Sequence, residues 1–303
     1  MRMNHPTIPT FENQRASGQD ILLPAKTAKQ RGRRSVLLEL NTRDRNMKSY
    51  PNANSFRWKL FRPLKDVVSI QIVGGTIPTR IFNIDEGWNK FTFKEGSTRY
   101  NVTLSPGRYV LSTLSVEIGA KLNFLSGITN TYSVAVSPTS DTLHITRDTG
   151  SVPFSILFGS GDYVDLYDNN GALTMINSPA KLFGFLNQDY ADNDGLITSP
   201  YAMDLEFLLS RLYLYINSDN SQEITTIERS VGRRAPYTII YMDMNEQTYK
   251  TFTKETFEPS FVASPAPIAR VTTLDISFRD EFDRLVNFNG RDVTLLLEFV
   301  YLE

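Results

Sequence analysis

The chain has 303 residues, of which 41% are hydrophobic and 12% aromatic, and its formal net charge is -1. This composition supplies a real apolar core and excludes wholesale disorder. The length suits one large β domain or two ordinary domains. The sequence contains no cysteine, which excludes disulfide frameworks, thiolate nucleophiles and cysteine-based zinc sites and fits a protein that assembles in a reducing compartment.

Neither a membrane span nor a secretory signal is expected. No window reaches the ~18 uninterrupted apolar residues that a membrane helix needs, and the N-terminus lacks the apolar stretch of a signal peptide. We therefore expect a cytosolic protein without membrane insertion.

Residues 1–34 predict an extended N-terminal arm, because they show neither the helical nor the strand period and carry seven Lys or Arg against two acidic residues. We expect the arm to be disordered in a free monomer and to order against a neighbouring subunit. A solvated polar tail is the alternative. Without interleaved aromatic residues the arm predicts no specific nucleic-acid binding, and any such contact would be nonspecific. The candidate partner-binding residues are Ile21, Leu22, Leu23, Lys26, Lys29, Arg31, Arg33 and Arg34.

Residues 35–94 alternate apolar and polar side chains with a period of two, which predicts β-strands. We expect Gly74-Gly75 and Pro78 to end the third strand. The alternating apolar residues are Val36, Leu38 and Leu40, then Phe56, Trp58 and Leu60, then Val68, Ile70 and Ile72, and finally Phe91 and Phe93.

Residues 95–195 predict an inserted α/β subdomain, a helix packed on a small antiparallel sheet. Ser105-Pro106 is expected to be the N-cap and first position of the helix, and Gly127 its C-terminal stop. The segment SPAKLFGFL closes the insert as a short helix or turn. The apolar helix face is Leu111, Leu114, Ile118, Leu122 and Leu125, and the strand residues are Tyr132, Val134, Val136, Leu143, Ile145, Phe154, Ile156 and Phe158.

Residues 196–303 return to the strand period. The segment 205–217 is ambiguous between helix and buried strand, and its aromatic and β-branched residues favour a strand. The chain ends within an alternating run from Val293 to Tyr301, so the last strand is expected to be central in its sheet. Residues 35–94 and 196–303 would then form one β-sandwich interrupted by the insert.

The sequence offers little catalytic chemistry. Its two histidines, His5 and His144, have no evident orienting partner, and no phosphate-binding or dinucleotide-binding glycine motif is present. Two acidic loops, 162–171 and 189–195, could hold Ca²⁺ but lack the spacing of a calcium loop, so turn chemistry is the other interpretation. Asn101-Val-Thr103 matches a glycosylation sequon, which carries little weight without a secretory signal.

Several short motifs stand in a set order along residues 35–303. The first strand is followed by a turn of the form RD…YPN, and the next motif is a strand that begins V-x-S-I and ends at I-P. The helix begins near P-G-x-Y and ends near L-N, and the insert closes with a variant of L-x-G-F. Near the end of the chain, a loop of the form x-F-x-G-x-D leads into L-L-E. In order and spacing they resemble the minor capsid and penton-type jelly-roll proteins of nucleocytoplasmic large DNA viruses. The motifs are Thr42–Arg45, Tyr50–Asn52, Val67–Pro78, Pro106–Tyr109, Leu122–Asn123, Leu182–Phe185, Phe288–Asp292 and Leu296–Glu298.

The resemblance implies a mainly β fold, a jelly roll of two packed antiparallel sheets, with no active site, cofactor or metal. It implies a virion protein assembled in the host cytoplasm, a minor capsid component that binds and stabilises the capsomer lattice. Its partners would be major capsid protein capsomers, other minor capsid proteins and further copies of itself. The alternatives are a penton protein at fivefold vertices, a receptor-binding or fibre-type jelly-roll module and, more remotely, an enzyme on a β-sandwich.

Overall fold

The computed structural model describes residues 32–219, 222–225, 227, 234–242, 248–253, 255–256, 260–262 and 266–303. They contain eighteen strands, one α-helix and a 3₁₀ turn at Thr42–Asp44. The elements up to the middle of the chain are β1 (Arg33–Asn41), β2 (Ser55–Pro78), β3 (Lys90–Glu95), β4 (Thr98–Thr103), α1 (Leu111–Asn123), β5 (Thr131–Val136), β6 (Leu143–Thr149) and β7 (Phe154–Leu157). The remaining strands are β8 (Leu166–Tyr167), β9 (Leu173–Met175), β10 (Asp189–Ala191), β11 (Leu196–Thr198), β12 (Arg211–Ser218), β13 (Gln222–Ile224), β14 (Thr238–Tyr241), β15 (Tyr249–Thr253), β16 (Ser260–Val262), β17 (Ile268–Arg279) and β18 (Thr294–Leu302).

The long strand β2 organises the sandwich because it belongs to two layers in turn. Its first half pairs with β17, which pairs with β12, and the far edge of β12 pairs with β13 and β14. Its second half pairs with β18 on one edge and with β15 and β16 on the other, and β18 pairs with β1. All these pairs are antiparallel. The two layers, each four strands wide, have the connectivity of a jelly roll whose second and third strands are fused into β2, which confirms the predicted fold class.

The two layers share one apolar core. Leu295, Leu297 and Phe299 of β18 are fully buried, as their period of two predicts. The hydroxyl of Tyr237, at the start of β14, donates to the carbonyl of Ile70 in the second half of β2 at 3.0 Å. Because these two strand segments belong to different layers, the bond joins the layers across the core. As predicted, β18 is central, lying between β1 and β2.

The first and last strands of the jelly roll are also joined by Arg45, whose side chain is nearly buried. Its guanidinium donates to the carbonyls of Thr42 at 2.6 Å and of Tyr50 and Pro51 at 2.9 Å, and to the carboxylate of Asp292 at 2.8 Å. The hydroxyl of Thr42 donates to the same carboxylate at 2.9 Å. Two of the short sequence motifs, one after β1 and one before β18, therefore meet in a single hydrogen-bonded cluster with a structural role.

Gly74 and Gly75 do not end a strand, so that prediction was wrong. Strand β2 continues through both residues to Pro78 and pairs with β18 and β15 there. A Cβ on Gly75 would lie 2.5 Å from the carbonyl oxygen of Thr294 and 2.8 Å from the ring of Phe252. Glycine is needed at position 75 because the neighbouring groups approach too closely for a side chain, which is a known reason for glycine inside a strand.

The chain between β2 and β12 forms three small sheets and α1. The strand orders are β10-β7-β3-β4, β11-β6-β5 and β8-β9. Helix α1 packs against β5 and buries Leu114, Ile118 and Leu122 on its inner face, in line with the predicted apolar face. The segment SPAKLFGFL forms turns.

The division into a sandwich of residues 35–94 and 196–303 and an insert of 95–195 stays a prediction. Strand pairing places the boundaries of the insert elsewhere. Strand β3 pairs with β4 and β7 and not with sandwich strands, and β11 pairs with β6 of the insert. The change of sheet therefore falls after β2 and before β12, and we use "insert" below for residues 79–210.

Helix α1 does not begin at Ser105-Pro106, so the predicted cap was wrong. The N-cap is Val110, whose N–H donates to Thr113 Oγ1 at 3.1 Å. The N–H of Ser105 donates to Glu117 Oε1 at 2.9 Å, so a helix carboxylate holds the turn that the serine and proline form. The helix also ends four residues before the predicted stop at Gly127.

Two strand boundaries differ from prediction as well. Residues 205–209 form turns and β12 begins at Arg211, so only the second part of 205–217 is a strand. Strand β1 begins at Arg33, so Arg33 and Arg34, which were assigned to the arm, pair with the end of β18. The sheet continues here because β18 extends far enough to supply ladder partners.

Candidate interaction surfaces

Of the two histidines, the structure describes only His144. His144 is half-buried on β6, and its Nε2 lies 3.1 Å from Thr142 Oγ1. His5 lies outside the described residues. Within the described ranges, no three His, Cys, Asp or Glu side chains come together as a metal site. In the same residues no helix has the length and apolar character needed to cross a bilayer.

The two acidic loops use their carboxylates to hold turns. Asp168 accepts from two N–H groups of its own turn at 2.8 and 2.9 Å, and Asp162 accepts from the side-chain amide of Asn101 at 2.8 Å. Asp189 accepts from two N–H groups that follow β7. Burial alone would raise the pKa of Asp189, but the hydrogen bond from the Ser160 hydroxyl and the two N–H bonds hold it below its ordinary value. Turn chemistry thus accounts for these carboxylates.

Asp165 is the acidic-loop residue that lies deepest. It is almost fully buried, and burial raises the pKa of its carboxyl above the ordinary value. Its Oδ1 accepts from the N–H groups of Asn177 at 2.8 Å and Ser178 at 3.0 Å. These bonds tie the residue before β8 to the segment after β9, so Asp165 closes the base of this two-stranded ribbon.

Strand β1 leaves one edge without a strand partner among the described residues, because it is the last strand in the order of its sheet. Most of its side chains are exposed, including Val36 and Leu37, and Leu37 is 60% exposed. Arg34 forms an ion pair with Glu303, which directly follows the C-terminal end of β18. An exposed strand edge with apolar side chains is a site at which another strand can add.

Strand β2 bulges outward at residues 60–63, which we call the Phe61 knuckle. The ladder with β17 skips from Lys59 to Leu64 of β2. Pro63 lacks the N–H that a ladder needs, which suits a bulge. The side chain of Phe61 is 95% exposed, so the bulge presents an aromatic ring to solvent.

Exposed cations bracket this ring. Lys59 and Lys65 lie on either side of the bulge, Arg270 of β17 is paired in register with Lys65, and the guanidinium of Arg62 lies 5.9 Å from the centre of the Phe61 ring. In the described part of the chain no carboxylate forms an ion pair with any of the four. The knuckle therefore combines one large apolar side chain with a cluster of exposed cations.

The outer face of α1 presents a second apolar feature. Val116, Ala120 and Phe124 follow one another at spacings of four residues, so they lie on one face of the helix. Val116 is 70% exposed and Phe124 is 89% exposed. We call these three residues the α1 stripe.

A cleft of about 510 Å³ lies where the start of α1 meets the turn near the end of the insert. The N–H of Met203 donates to the carbonyl of Asp141 at 2.9 Å, and the N–H of Glu206 donates to Asp204 Oδ1 at 3.0 Å. The first bond joins segments that are distant in sequence, and the second holds the local turn. We call this feature the acidic cleft, because three carboxylates line it against one guanidinium, that of Arg108. Its apolar and acidic lining residues are Val110, Leu111, Met203, Leu205, Asp141, Asp204 and Glu206.

The predicted arm residues are divided by the structure. Ile21, Leu22, Leu23, Lys26, Lys29 and Arg31 lie outside the described residues, whereas Arg33 and Arg34 are in β1. Sequence reasoning missed the Phe61 knuckle, although a phenylalanine out of phase with its strand and two residues before a proline was a usable signal. It could not find the acidic cleft, since no local pattern joins its segments.

Comparison with known proteins gives a family and a distant structural likeness. The model of a family described as a family of unknown function (DUF5901) matches residues 26–287. No curated protein matches the sequence. The crystal structure of the mavirus penton protein is similar, with a TM-score of 0.41 and 13% sequence identity over 89% of this chain and 100% of that one.

Proposed function

The chain belongs to the family of unknown function DUF5901, and we propose that its function is structural, as a capsid subunit of an icosahedral DNA virus. Jelly rolls recur in viral capsid domains, and the same fold also carries lectin-like and enzymatic functions. The role therefore has to be argued from the surfaces of this chain. The proposal assigns it protein partners and no catalytic activity.

The observation that carries the proposal is the distribution of exposed apolar side chains. Leu37 lies on the free edge of β1, Phe61 on the knuckle of β2, and Val116 and Phe124 on the outer face of α1. Single exposed apolar residues are ordinary, but large ones on three ordered elements favour several contact sites. A subunit placed among several neighbours needs several interfaces, each burying on the order of 800 Å² per partner.

The edge of β1 supports the proposed partner-binding role of the arm. Residues 21–23 supply an apolar sequence close before β1, and the strand edge that β1 leaves free can accept an added strand. An arm from a neighbouring subunit would gain backbone hydrogen bonds there, with Val36 and Leu37 as apolar contacts. The arm would then tie one subunit to the next.

We place the chain first as a minor capsid component that binds capsomers of the major capsid protein and other minor capsid proteins. The basic N-terminal sequence supports this position, because a tether of this kind reaches beyond its own domain. The second candidate is a penton protein. The Phe61 knuckle and the acidic cleft favour it, since a closed ring of identical copies needs two different surfaces that fit each other.

Quantitative mass spectrometry of purified virus particles tests the proposal. We expect the chain to remain at a fixed ratio to the major capsid protein through density-gradient purification, nuclease treatment and washing at high salt. A chain that is abundant in infected cells but lost from particles at the first gradient step would contradict a capsid role. The measured ratio also separates a penton, at five copies per vertex, from a minor component of higher copy number.

A further inference from the structure

We infer that copies of this chain bind one another head to tail, with the Phe61 knuckle of one copy seated in the acidic cleft of the next. The inference deepens the proposed function, since it names one partner and both contact surfaces. It rests on two features of the same chain that have opposite shape and opposite charge.

The knuckle has the properties of an inserted group. Phe61 is 95% exposed, and an aromatic side chain buries roughly 150–250 Å² when it enters an apolar site. The backbone that carries it is anchored at both ends by the β2–β17 ladder, so little backbone entropy is lost on binding. The nearby cations Lys59, Arg62 and Lys65 are free of described ion-pair partners and can meet acidic groups around the site.

The acidic cleft has the properties of the receiving site. Its volume of about 510 Å³ falls in the range of clefts that enclose small ligands, which is ample for one aromatic ring. Met203 and Leu205 line it but are more than nine-tenths buried, so the apolar surface open to a ring comes mainly from Val110 and Leu111. Asp204 and Glu206 are exposed and supply negative charge where the cations of a knuckle would approach.

The contact must be between copies. The exposure of Phe61 shows that it does not fill the cleft of its own chain. Two different surfaces on one chain make a heterologous contact, which closes into rings or extends into filaments.

The knuckle alone supplies a minority of a stable interface, which buries about 800 Å² per partner. It is therefore expected to act as the central anchor, with the charged residues forming a polar rim. Association should weaken as salt rises, because the rim pairs are exposed and screened.

Sedimentation velocity of the full chain over a wide concentration range tests the inference. We expect the wild type to self-associate, and Phe61→Ser to raise its dissociation constant by roughly 30-fold, as loss of a hot-spot residue does. Met47→Ser is the control, because Met47 is 57% exposed in the loop between β1 and β2 and belongs to none of the contact surfaces proposed above. It should associate as the wild type does, and thermal melts should show all variants folded.

Mixing two defective variants tests the head-to-tail arrangement itself. Val110→Lys combined with Glu206→Lys removes the cleft but keeps the knuckle, and Phe61→Ser does the reverse. Each variant alone should be monomeric, while their mixture should form dimers and nothing larger, since one intact contact remains. A wild type that is monomeric throughout, equal behaviour of Phe61→Ser and Met47→Ser, or a mixture without dimers would overturn the inference. None of these results bears on whether the chain is present in virus particles, which tests the proposed function separately.

Discussion

The jelly roll and the insert bury their cores in different ways. The jelly roll uses strands of up to 24 residues whose alternating aliphatic side chains, such as Ile70, Ile72 and Leu297, are fully buried. The strands of the insert have seven residues or fewer, and its core depends on aromatic contacts. Tyr132 lies edge-on to Phe93 and Phe154, with ring centres 5.2 and 4.9 Å apart.

The insert also buries a charged group, which the long strands of the sandwich core avoid. Glu95 is buried, and its carboxylate accepts from the N–H groups of Thr129 and Asn130 at 2.8 and 2.9 Å, from Thr129 Oγ1 at 2.9 Å and from the hydroxyl of Tyr132 at 2.9 Å. Short strands offer few apolar positions for packing. In the insert, hydrogen bonds and aromatic contacts therefore fix the side chains that alternating apolar packing fixes in the sandwich. The comparison predicts that the insert is the part more sensitive to polar substitutions.

The largest expected effect comes from the contact between the two regions. Arg284 bonds the buried Asp280 through Nε at 2.9 Å, donates to the carbonyl of Ile176 at 3.0 Å and lies 4.0 Å from the centre of the Trp88 ring. Arg284→Ala should lower the free energy of unfolding by about 3 kcal/mol, because it leaves a buried carboxylate unpaired and removes a cation–π contact.

Urea denaturation followed by tryptophan fluorescence measures this change. Arg279→Ala is the control at the end of β17, since Arg279 contacts the more exposed Asp283, and it should cost less than ~1 kcal/mol. Equal losses for the two variants would show that Arg284 does not join the two regions.

A second expected effect sharpens the contrast in core chemistry. Glu95→Gln should lower the free energy of unfolding by about 2 kcal/mol at pH 7, since the bonds to the charged carboxylate are lost or reversed. Burial would raise the pKa of Glu95, but the four hydrogen bonds outweigh it and hold the pKa below the ordinary value of 4.5. The wild type therefore keeps this stabilisation above about pH 4.5 and loses it as the pH falls through the lowered pKa.

Chemical denaturation at a series of pH values checks whether the pKa of Glu95 is lowered in the folded protein. The stability difference between wild type and Glu95→Gln should be constant near neutral pH and shrink as the solution is acidified below about pH 4.5. A difference that grows with acidification would mean that the carboxyl is protonated in the folded protein.

The smallest effect tests the close packing of the sandwich. Gly75→Ala should cost about 1 kcal/mol, because its Cβ would meet the carbonyl oxygen of Thr294 and the ring of Phe252. Gly74→Ala is the matched control in the next position, where the nearest atom to a Cβ is 3.5 Å away. The melting temperature of Gly74→Ala should be higher than that of Gly75→Ala. The opposite order would refute the explanation that close neighbours require glycine at position 75.

The same contrast explains what could be predicted from sequence. The period of two located β1, both halves of β2 and β18, although it predicted the halves of β2 as two separate strands. It placed a strand end at Gly74-Gly75, where the reason for glycine is a neighbour from β15 and β18 that no local pattern reveals. Ser105-Pro106 resembled a helix start, but the N–H of Ser105 donates to the side chain of Glu117 and the helix begins after Val110.

The candidate surfaces were harder to predict than the fold. Phe61 stands in a sequence that reads as a strand, and its exposure follows from a bulge in the ladder with β17. The acidic cleft combines residues near 110, 141 and 205, and their proximity follows from the packing of the insert. Surfaces of this kind depend on tertiary structure, whereas strands depend on a repeated local pattern.

The central claim is that this jelly roll is a structural subunit of a virus shell, and a cryo-EM map of the intact particle tests it most directly. We predict density for β1, β2, β17 and β18 within the shell, with the edge of β1 and the Phe61 knuckle against neighbouring protein. A shell that is fully accounted for by other proteins, with this chain absent or confined to protruding fibres, would contradict the claim.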